Sequence, residues 1–335
     1  MSAPTPPSDS SDSSDSSDAN SAPQLPAKQG NTRRNAIIAG AAAAVVAIAG
    51  ITYAVTSGGD DEEASASAGG AAPQTVKIGV ADAAQPYWKT YTDLVKKELN
   101  VTVELVNFGD YSQPNPALKQ GEVDLNQFQH IQYLADYNVS SNDTIQPIGA
   151  TAVYPLPLYS SEYKSVEEIP KDAEIAIPND TINEARGLLV LQAAGLLTLK
   201  DGGGAFSSVE DIESTKVKVT PLDASQTAGA VKSGSVAGAI VNKNFATDAG
   251  LKTEEALFQD DPASEAAAPY VNIFAARAED KDNETYLKLA ELYHDPAVEA
   301  GVQESNGGTA VFRTTPAAEL QEVLKTVEEQ ARAAK

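Results

Sequence analysis

Polar and aromatic side chains that suit a small charged ligand follow several apolar segments of the chain. Phe128 and His130 come directly after one such segment, and Tyr111 comes shortly after another. Asn183 and Arg186 have a spacing that puts both on one face of a helix. An arginine near a helix N-terminus suits a carboxylate, because free backbone N–H groups and a bidentate guanidinium favour the same anion.

A further amide ends another apolar segment. Asn242 follows 238–241, and its side chain can both donate to and accept from a zwitterion. Taken singly, each of these residues also fits an ordinary structural role. The aromatic residues fit the core, the arginine fits the surface of a capped helix and the asparagine fits a turn. Their recurrence at the ends of predicted strands favours a binding site, since ligands of α/β sheets bind beyond those ends.

Residues for catalysis are scarce. His130 and His294 are the only histidines, and the absence of cysteine excludes disulfides, thiolate metal sites and a cysteine nucleophile. No nucleophile elbow, phosphate-binding loop, zinc-protease motif or dinucleotide-binding motif occurs. Ser161-Glu-Tyr-Lys164 fits a Ser-x-x-Lys pattern but lacks its companion motifs. We predict a protein that is not an enzyme and that uses no cofactor or metal.

Length and charge limit the partners. A chain of 335 residues indicates one or two domains. Its 47 acidic residues against 24 basic ones, a net charge of −23, argue against binding to nucleic acid, which requires a basic surface. Acidity by itself identifies no ligand, because it mainly favours solubility.

The elements that position these residues begin near Thr75. Alternating apolar residues at 76–80 and 101–105 predict strands, and the amphipathic stretch 87–99 predicts a helix between them. Further strands are predicted at 122–125, 174–177, 216–220, 238–241 and 270–275, with helices at 127–137, 182–197, 226–233 and 283–293. This alternation predicts an α/β fold with parallel sheets. The length is sufficient for two lobes with a ligand cleft between them.

The N-terminal part has a different composition. Residues 1–34 are polar, with a Ser-Asp repeat and no apolar periodicity, which predicts a disordered acidic and polar tail. Residues 35–57 carry no charge and are long enough to cross a membrane, which takes about 20 apolar residues. Residues 58–74 predict a flexible linker.

Charges flanking the uncharged segment predict its orientation. Lys28, Arg33 and Arg34 precede it and an acidic run follows it, which puts the tail in the cytoplasm and the remainder outside the cell. The alternative is a secretory signal cut near Ala64-Ser-Ala66. The apolar stretch is longer than an ordinary signal core, so a single-pass anchor in the cell membrane is favoured.

Taken in order, the segments resemble the methionine-binding lipoproteins of bacterial ABC transporters, the NlpA lipoprotein family. The resemblance covers about residues 75–310 and runs through 76–80, Phe108-Gly-Asp-Tyr111, Pro114-Asn115, 121–130 with Tyr133, Val153-Tyr-Pro155, 177–180 with Asn183 and Arg186, 241–246 and 269–272. It implies a two-lobed periplasmic-binding-protein fold, type II-like, with a monomeric head. It also implies a solute-binding protein that delivers methionine, a close analogue or a methionine dipeptide to a permease driven by an ATPase.

The resemblance also implies roles for individual residues. Four residues would line the side-chain end of the pocket: Tyr111, Phe128, His130 and Tyr133. Arg186, helped by Asn183, would hold the ligand carboxylate, and Asn242 would bind the polar backbone end. Asn272 is a weaker candidate near the crossover between the lobes.

The resemblance further implies lobe boundaries. One lobe would comprise 75–157 with 270–335, and the other would comprise 158–269. The chain would cross between them near 153–157 and 261–270.

Two departures from the family pattern bear on function. Family members usually carry a lipidated cysteine, which is missing here, so the alanine-rich span at 35–57 would replace the lipid as anchor. Members also commonly have Gly-Pro-His after the first strand, where this chain has Gln85-Pro-Tyr-Trp88, which would bring Trp88 into the cleft. A surface-anchored module of the same fold with a non-transport interaction role remains the alternative.

Overall fold

Short strands rich in β-branched residues alternate with helices throughout the part of the chain that the structure describes. This computed structural model describes residues 74–334. The strands are β1 (Thr75–Val80), β2 (Thr102–Asn107), β3 (Leu125–Gln127), β4 (Gln146–Ala150), β5 (Ala152–Val153), β6 (Pro157–Tyr159), β7 (Glu174–Pro178), β8 (Leu197–Leu199), β9 (Ile212–Thr215), β10 (Lys218–Leu222), β11 (Gly238–Ile240), β12 (Phe258–Gln259), β13 (Ile273–Ala276) and β14 (Val311–Phe312).

The helices lie mostly between consecutive strands. They are α1 (Tyr87–Leu99), α2 (Pro114–Lys119), α3 (Ile131–Ser141), α4 (Thr181–Ala193), α5 (Ala224–Ser233), α6 (Lys243–Asp248), α7 (Glu284–Leu292), α8 (Pro296–Ser305) and α9 (Ala317–Ala333). Short 3-10 turns occur at Lys200–Gly202, Val209–Asp211, Thr253–Glu255, Glu265–Tyr270 and Ala278–Asp280. The α/β class predicted from the sequence is thereby confirmed.

Two five-stranded sheets organise these elements. The first has the order β2-β1-β3-β13-β4, and the second has the order β10-β7-β11-β6-β12. In the first sheet β1 pairs in parallel with β2 and β3, whereas β13 pairs antiparallel with β3 and β4. In the second sheet β7 pairs in parallel with β10 and β11, whereas β6 is antiparallel to β11 and β12. The sheets are therefore mixed, not purely parallel as predicted.

The chain passes between the two sheets twice. It leaves the first sheet after β4, passes through β5, which pairs with β14 in a two-stranded sheet, and enters the second sheet at β6. It returns from β12 to β13. The strands that follow these two connections are the antiparallel ones, because a chain arriving from the other sheet is not constrained by the crossover helix of a parallel unit. The lobe boundaries given above remain a prediction.

Strands buried on both faces hold each sheet in place. In β13, Phe274 packs with the aromatic cluster of α1, whereas Ile273 packs with α3 and α9. In β7, Ile175 and Ala176 likewise join different apolar clusters. This alternation follows from the two-residue period of a strand, and burying each large apolar side chain contributes about 1.5–3 kcal/mol.

The predicted position of Trp88 in the cleft is wrong. Trp88 is 1% exposed and packs in the core of the first sheet with Tyr91, Phe274 and Tyr293. The cause is the helical period, since Trp88, Tyr91 and Val95 share the face of α1 that contacts the sheet.

One predicted helix begins later than expected. The sequence predicts a helix at 127–137, but α3 begins at Ile131 because 125–127 pairs with β1 and β13 as β3. The residues in between form the turn that carries Phe128 and His130, so the misplaced boundary falls on candidate site residues.

The predicted membrane anchor cannot be located in this part of the protein. Across 74–334, every helix is too short or too polar to cross a bilayer. The predicted tail (1–34), span (35–57) and, apart from its last residue, linker (58–74) lie outside the described residues.

The strand β4 and the helix α7 approach each other closely at Gly149, so a larger residue there should destabilise the fold. A Cβ on Gly149 would lie 2.5 Å from the Cβ of Ala290. We expect Gly149→Ala to lower the free energy of unfolding by about 1–3 kcal/mol through overpacking. The matched control is Gly229→Ala in α5, where a Cβ would meet no atom within 4 Å, so helix propensity should raise stability by about 0.5–1 kcal/mol. Urea unfolding measures both, and equal stability of the two variants would contradict the packing described here.

Candidate ligand-binding site

A cavity lies where the carboxyl ends of strands from both sheets meet. The first sheet contributes the residues after β1 and β3, and the second contributes the first turns of α4 and the residues after β11. Eight of the nine residues predicted for the site line it: Tyr111, Phe128, His130, Tyr133, Asn183, Arg186, Asn242 and Asn272. Trp88 is the exception, since its ring is in the core.

Arg186 is the fixed cation of the cavity. Its Nε and Nη2 both donate to Oδ2 of Asp260, at 2.9 and 2.8 Å, and Nη2 also donates to the carbonyl of Tyr154 at 2.8 Å. The guanidinium carbon lies 4.2 Å from the centre of the Tyr270 ring, a cation–π contact. None of these hydrogen bonds uses Nη1, which leaves that nitrogen for an anion in the cavity.

A chain of amide hydrogen bonds extends from the start of α4 to the end of β11. Asp180 caps α4 by accepting from the backbone N–H of Asn183 at 2.9 Å, and the Asn183 side-chain amide also donates to it. Asn242 in turn donates to Oδ1 of Asn183 at 2.9 Å. Asn183 therefore orients Asn242, whose own Oδ1 is buried and accepts no hydrogen bond from the described residues.

Aromatic rings form one wall of the cavity. The Tyr111 ring centre lies 5.9 Å from that of Phe128, 6.2 Å from that of Tyr133 and 5.0 Å from that of Phe245. The Tyr111 hydroxyl also hydrogen-bonds Oδ1 of Asn244. Because Asn244 and Phe245 belong to α6, Tyr111 joins elements of the two sheets. Burial raises the pKa of Tyr111 well above its usual value, so it stays a neutral hydroxyl.

His130 is held as a neutral imidazole. Its Nδ1 accepts from the backbone N–H of Tyr133 at 3.1 Å and so caps α3, which assigns the proton to Nε2. Burial, with a smaller contribution from Arg186, lowers the pKa of His130 from 6.5 to about 3. The buried Nε2 has no partner among the described residues, and as a donor it is available to a ligand.

Asn272 reaches the cavity from the connection back to the first sheet. It forms an isolated antiparallel bridge with His130, and its backbone N–H donates to the carbonyl of Ala152. Its side-chain amide makes a 3.4 Å hydrogen bond to the carbonyl of Tyr270. Asn272 therefore ties the His130 turn to the connection between the sheets.

Several lining residues were missed by sequence reasoning. Asp82, Tyr87 and Tyr154 face the cavity from the first sheet and its connection, and Asn244 faces it from α6. Asp82 lies just after β1, so the rule that singled out the ends of β3 and β11 applies to it equally. No feature of the sequence marks Asp260 as part of the site, because acidic residues are common in loops.

The described residues offer no obvious metal centre. Between 74 and 334, no group of three or more histidine or acidic side chains is arranged to hold an ion. The cavity is instead lined by the guanidinium of Arg186, the carboxylate of Asp82, the amine of Lys243, several amides, a neutral imidazole and aromatic rings. This combination is chemically suited to a ligand that has a carboxylate, further polar atoms and an apolar side chain.

Comparison with known proteins identifies the family. The family model described as NlpA lipoprotein matches residues 76–313. The chain belongs to this family. The resemblance seen in the sequence is thereby confirmed, and the match spans both sheets and the whole cavity wall.

Two relatives of this chain are named as methionine-binding proteins. The D-methionine-binding lipoprotein MetQ of Yersinia pestis is 37% identical over 242 residues, which cover 71% of this chain and 88% of that protein. The MetQ of Escherichia coli K12 is 36% identical over 241 residues, covering 70% and 88%.

Solved structures of similar proteins share the fold. A nutrient-binding protein from Burkholderia cenocepacia bound to methionine is 34% identical, with a TM-score of 0.65, covering 71% of this chain and 99% of that one. The substrate-binding protein of a methionine transporter from Streptococcus pneumoniae is 36% identical with a TM-score of 0.66, covering 71% and 95%. The fold is therefore that of a periplasmic substrate-binding protein.

The buried imidazole generates a prediction for stability against pH. Because the pKa of His130 is lower in the folded state (about 3) than unfolded (6.5), the unfolded state binds the extra proton first. The contribution of neutral His130 to the free energy of unfolding is complete above pH 6.5. It falls on acidification, by at most about 1.4 kcal/mol per pH unit. His130→Asn keeps an N-cap acceptor and does not titrate. We expect the unfolding free energy of the wild type, minus that of His130→Asn, to decrease between pH 6.5 and 4. A constant difference in urea titrations across that range would contradict the assignment.

Proposed function

We propose that this protein is the solute-binding component of an ABC importer. It captures methionine, a close analogue or a methionine dipeptide in the cavity and delivers it to a permease driven by an ATPase. The observation that carries the proposal is the presence of Arg186 and the aromatic wall in one cavity of an NlpA-family chain. The role is binding and delivery, with no chemical change to the ligand.

The polar end of the cavity suits the carboxylate of an amino acid. A buried charge is tolerated only when it is paired and hydrogen-bonded. Arg186 supplies the positive charge and the Nη1 donors, while Asn242 and Asn272 supply neutral amides near it. Asp260 holds the guanidinium in place before any ligand arrives, so little side-chain entropy is lost on binding.

The aromatic end suits a thioether. A methionine sulfur gains about 0.3–1.5 kcal/mol from contact with an aromatic ring edge. Tyr111, Phe128 and Tyr133 present ring edges to one another, with interplanar angles of 71° and 79° at Tyr133. The unpartnered Nε2–H of His130 is a donor for the sulfur, which is a weak acceptor.

Contacts between the two sheets suggest how ligand loading is signalled. Tyr111 hydrogen-bonds Asn244, and Thr253 Oγ1 donates to the carbonyl of Asn306 at 3.4 Å, so both rims of the cavity are bridged. A ligand that touches residues on both sides favours this closed arrangement over an open one. We assign the two lobes to 75–157 with 270–335 and to 158–269. A permease then distinguishes loaded from empty protein by the closure.

The proposal includes a protein anchor. Residues 35–57 would span the cell membrane once, with the binding domain outside the cell, because the chain has no cysteine to carry a lipid.

Ligand binding is tested by thermal unfolding of the full chain in detergent. A ligand at about 100 times its Kd stabilises the native state by about 2.7 kcal/mol, which raises the Tm by roughly 5–10 °C. We expect this rise with methionine, and we expect Arg186→Lys to lose most of it because lysine cannot keep both Asp260 and the ligand paired. L-methionine, D-methionine and methionine dipeptides are compared.

Arg277→Lys is the matched control for Arg186→Lys. Arg277 is partly buried and, like Arg186, it joins a carboxylate to backbone carbonyls. Its partners are Asp280 and the carbonyls of Leu118 and Val123, and it does not line the cavity. Its replacement should lower the Tm of the empty protein and preserve the rise with ligand. No rise with any of these ligands in the wild type would refute the proposed function.

The anchor is tested by membrane fractionation of the full chain. We expect the intact chain to stay with membranes after carbonate extraction, with a mass that includes residues 1–57. Val45→Asp with Val46→Asp should release it, since each charge at the centre of a span costs about 2.5–3.5 kcal/mol. Recovery of unaltered protein in the soluble fraction, shortened to begin near residue 67, would instead support the cleaved signal.

A further inference from the structure

An acidic residue faces the same cavity as Arg186. Asp82 lies two residues beyond the end of β1, is half-buried and lines the cavity. It belongs to neither the amide chain nor the aromatic wall described above. Its position is therefore unexplained by the carboxylate and thioether sites.

Neutral donors hold the Asp82 carboxylate in place. Trp88 Nε1 donates to Oδ1 at 2.9 Å, and the Tyr87 hydroxyl donates to Oδ2 at 2.5 Å. A carboxylate has about four acceptor positions, so these two bonds leave room for a further donor. The core position of Trp88 thus fixes Asp82 at the cavity edge.

No cation within the described residues compensates this carboxylate. From 74 to 334, no lysine, arginine or histidine nitrogen lies within ion-pair distance of Asp82. The cavity-lining Lys243 instead donates to Thr253 Oγ1 at 2.7 Å. Burial, and to a smaller extent the nearby Asp248, raise the pKa of Asp82, whereas its two hydrogen bonds lower it. Removing a carboxylate from water without a counter-ion is costly, so a cation in the cavity would be bound favourably.

Asp82 and Arg186 are linked through Tyr154, Tyr293 and Trp88. The carbonyl of Tyr154 accepts from Arg186, and its hydroxyl lies 3.5 Å from the hydroxyl of Tyr293. The Tyr293 ring in turn packs against Trp88, at 6.1 Å between ring centres. The cavity therefore has a fixed positive group and a fixed negative group, as a zwitterion requires.

We propose that Asp82 binds the ammonium group of the ligand. This inference rests on the proposed function and adds to it a chemical class: the site selects amino acids or peptides with a free amino group over analogues without one. A single carboxylate with tyrosine and tryptophan neighbours is a poor site for a metal ion, which needs several oxygen ligands. An ammonium needs only one charge-assisted hydrogen bond of this kind.

The test compares two ligands that differ only in this group. They are L-methionine and its α-hydroxy analogue, in which a hydroxyl replaces the ammonium. Isothermal titration with the full chain in detergent gives the Kd of each for the wild type and for Asp82→Asn. The asparagine keeps the acceptor for Trp88 and a hydrogen-bonding group for Tyr87, so the loop after β1 is preserved.

We expect the wild type to bind methionine at least about tenfold more tightly than the analogue. Asp82→Asn should lose about tenfold or more in methionine affinity and should bind the analogue within about twofold of the wild type. Equal loss for both ligands would show a purely structural role for Asp82 and would overturn the inference. Unchanged methionine affinity would overturn it as well.

Asp248→Asn is the matched control, since it removes the same charge from a residue that does not line the cavity. Gln85 Nε2 lies 3.5 Å from Oδ1 of Asp248, at the edge of the hydrogen-bond range. The ratio of the two affinities should stay at the wild-type value in this variant. A loss of methionine affinity as large as in Asp82→Asn would show that the preference for the ammonium comes from the overall negative charge of this region. It would overturn the proposed contact between Asp82 and the ammonium. If the wild type binds neither ligand, the proposed function itself fails, which is a distinct outcome.

Discussion

The burial of one guanidinium constrains the whole binding region. Arg186 is 5% exposed, and a charge at that depth is stable only when its partners are fixed. Its partners Asp260, Tyr154 and Tyr270 all lie in the two connections between the sheets, whereas Arg186 itself lies on α4. The ion pair therefore sets where the connections run relative to the second sheet, and breaking such a pair costs about 3–5 kcal/mol.

Other features of the cavity follow from that constraint. Arg186 holds α4 in place, and Asp180 caps that helix by accepting from Asn183. Asn183 in turn accepts from Asn242 and so positions it at the end of β11. The first sheet supplies the aromatic wall and the carboxylate of Asp82 from the opposite side. The charged residues of both signs and the aromatic residues that line the cavity thus lie near the ends of strands and helices.

Much of the site could be predicted because strand ends are visible in a sequence. The two-residue period located β1, β7 and β11, and Arg186 and Asn242, which follow β7 and β11 along the chain, line the cavity. The predicted strand 122–125 shares only Leu125 with β3, although His130 beyond β3 also lines the cavity. The orientation of a residue on a helix was harder to predict, since Trp88 and Tyr87 are adjacent in sequence yet only Tyr87 lines the cavity. The partner of Arg186 could not be predicted at all, because pairing with Asp260 depends on the path of a connection that has no periodic pattern.

The central claim is that a zwitterionic amino acid binds with its carboxylate at Arg186 and its ammonium at Asp82. A crystal structure of the full chain grown with L-methionine tests it most directly. The account predicts ligand density between the two sheets, with the carboxylate within hydrogen-bond distance of Arg186 Nη1, the ammonium at Asp82 and the thioether against Tyr111 and Phe128. An empty cavity at saturating methionine, or a ligand whose carboxylate avoids Arg186, would contradict it.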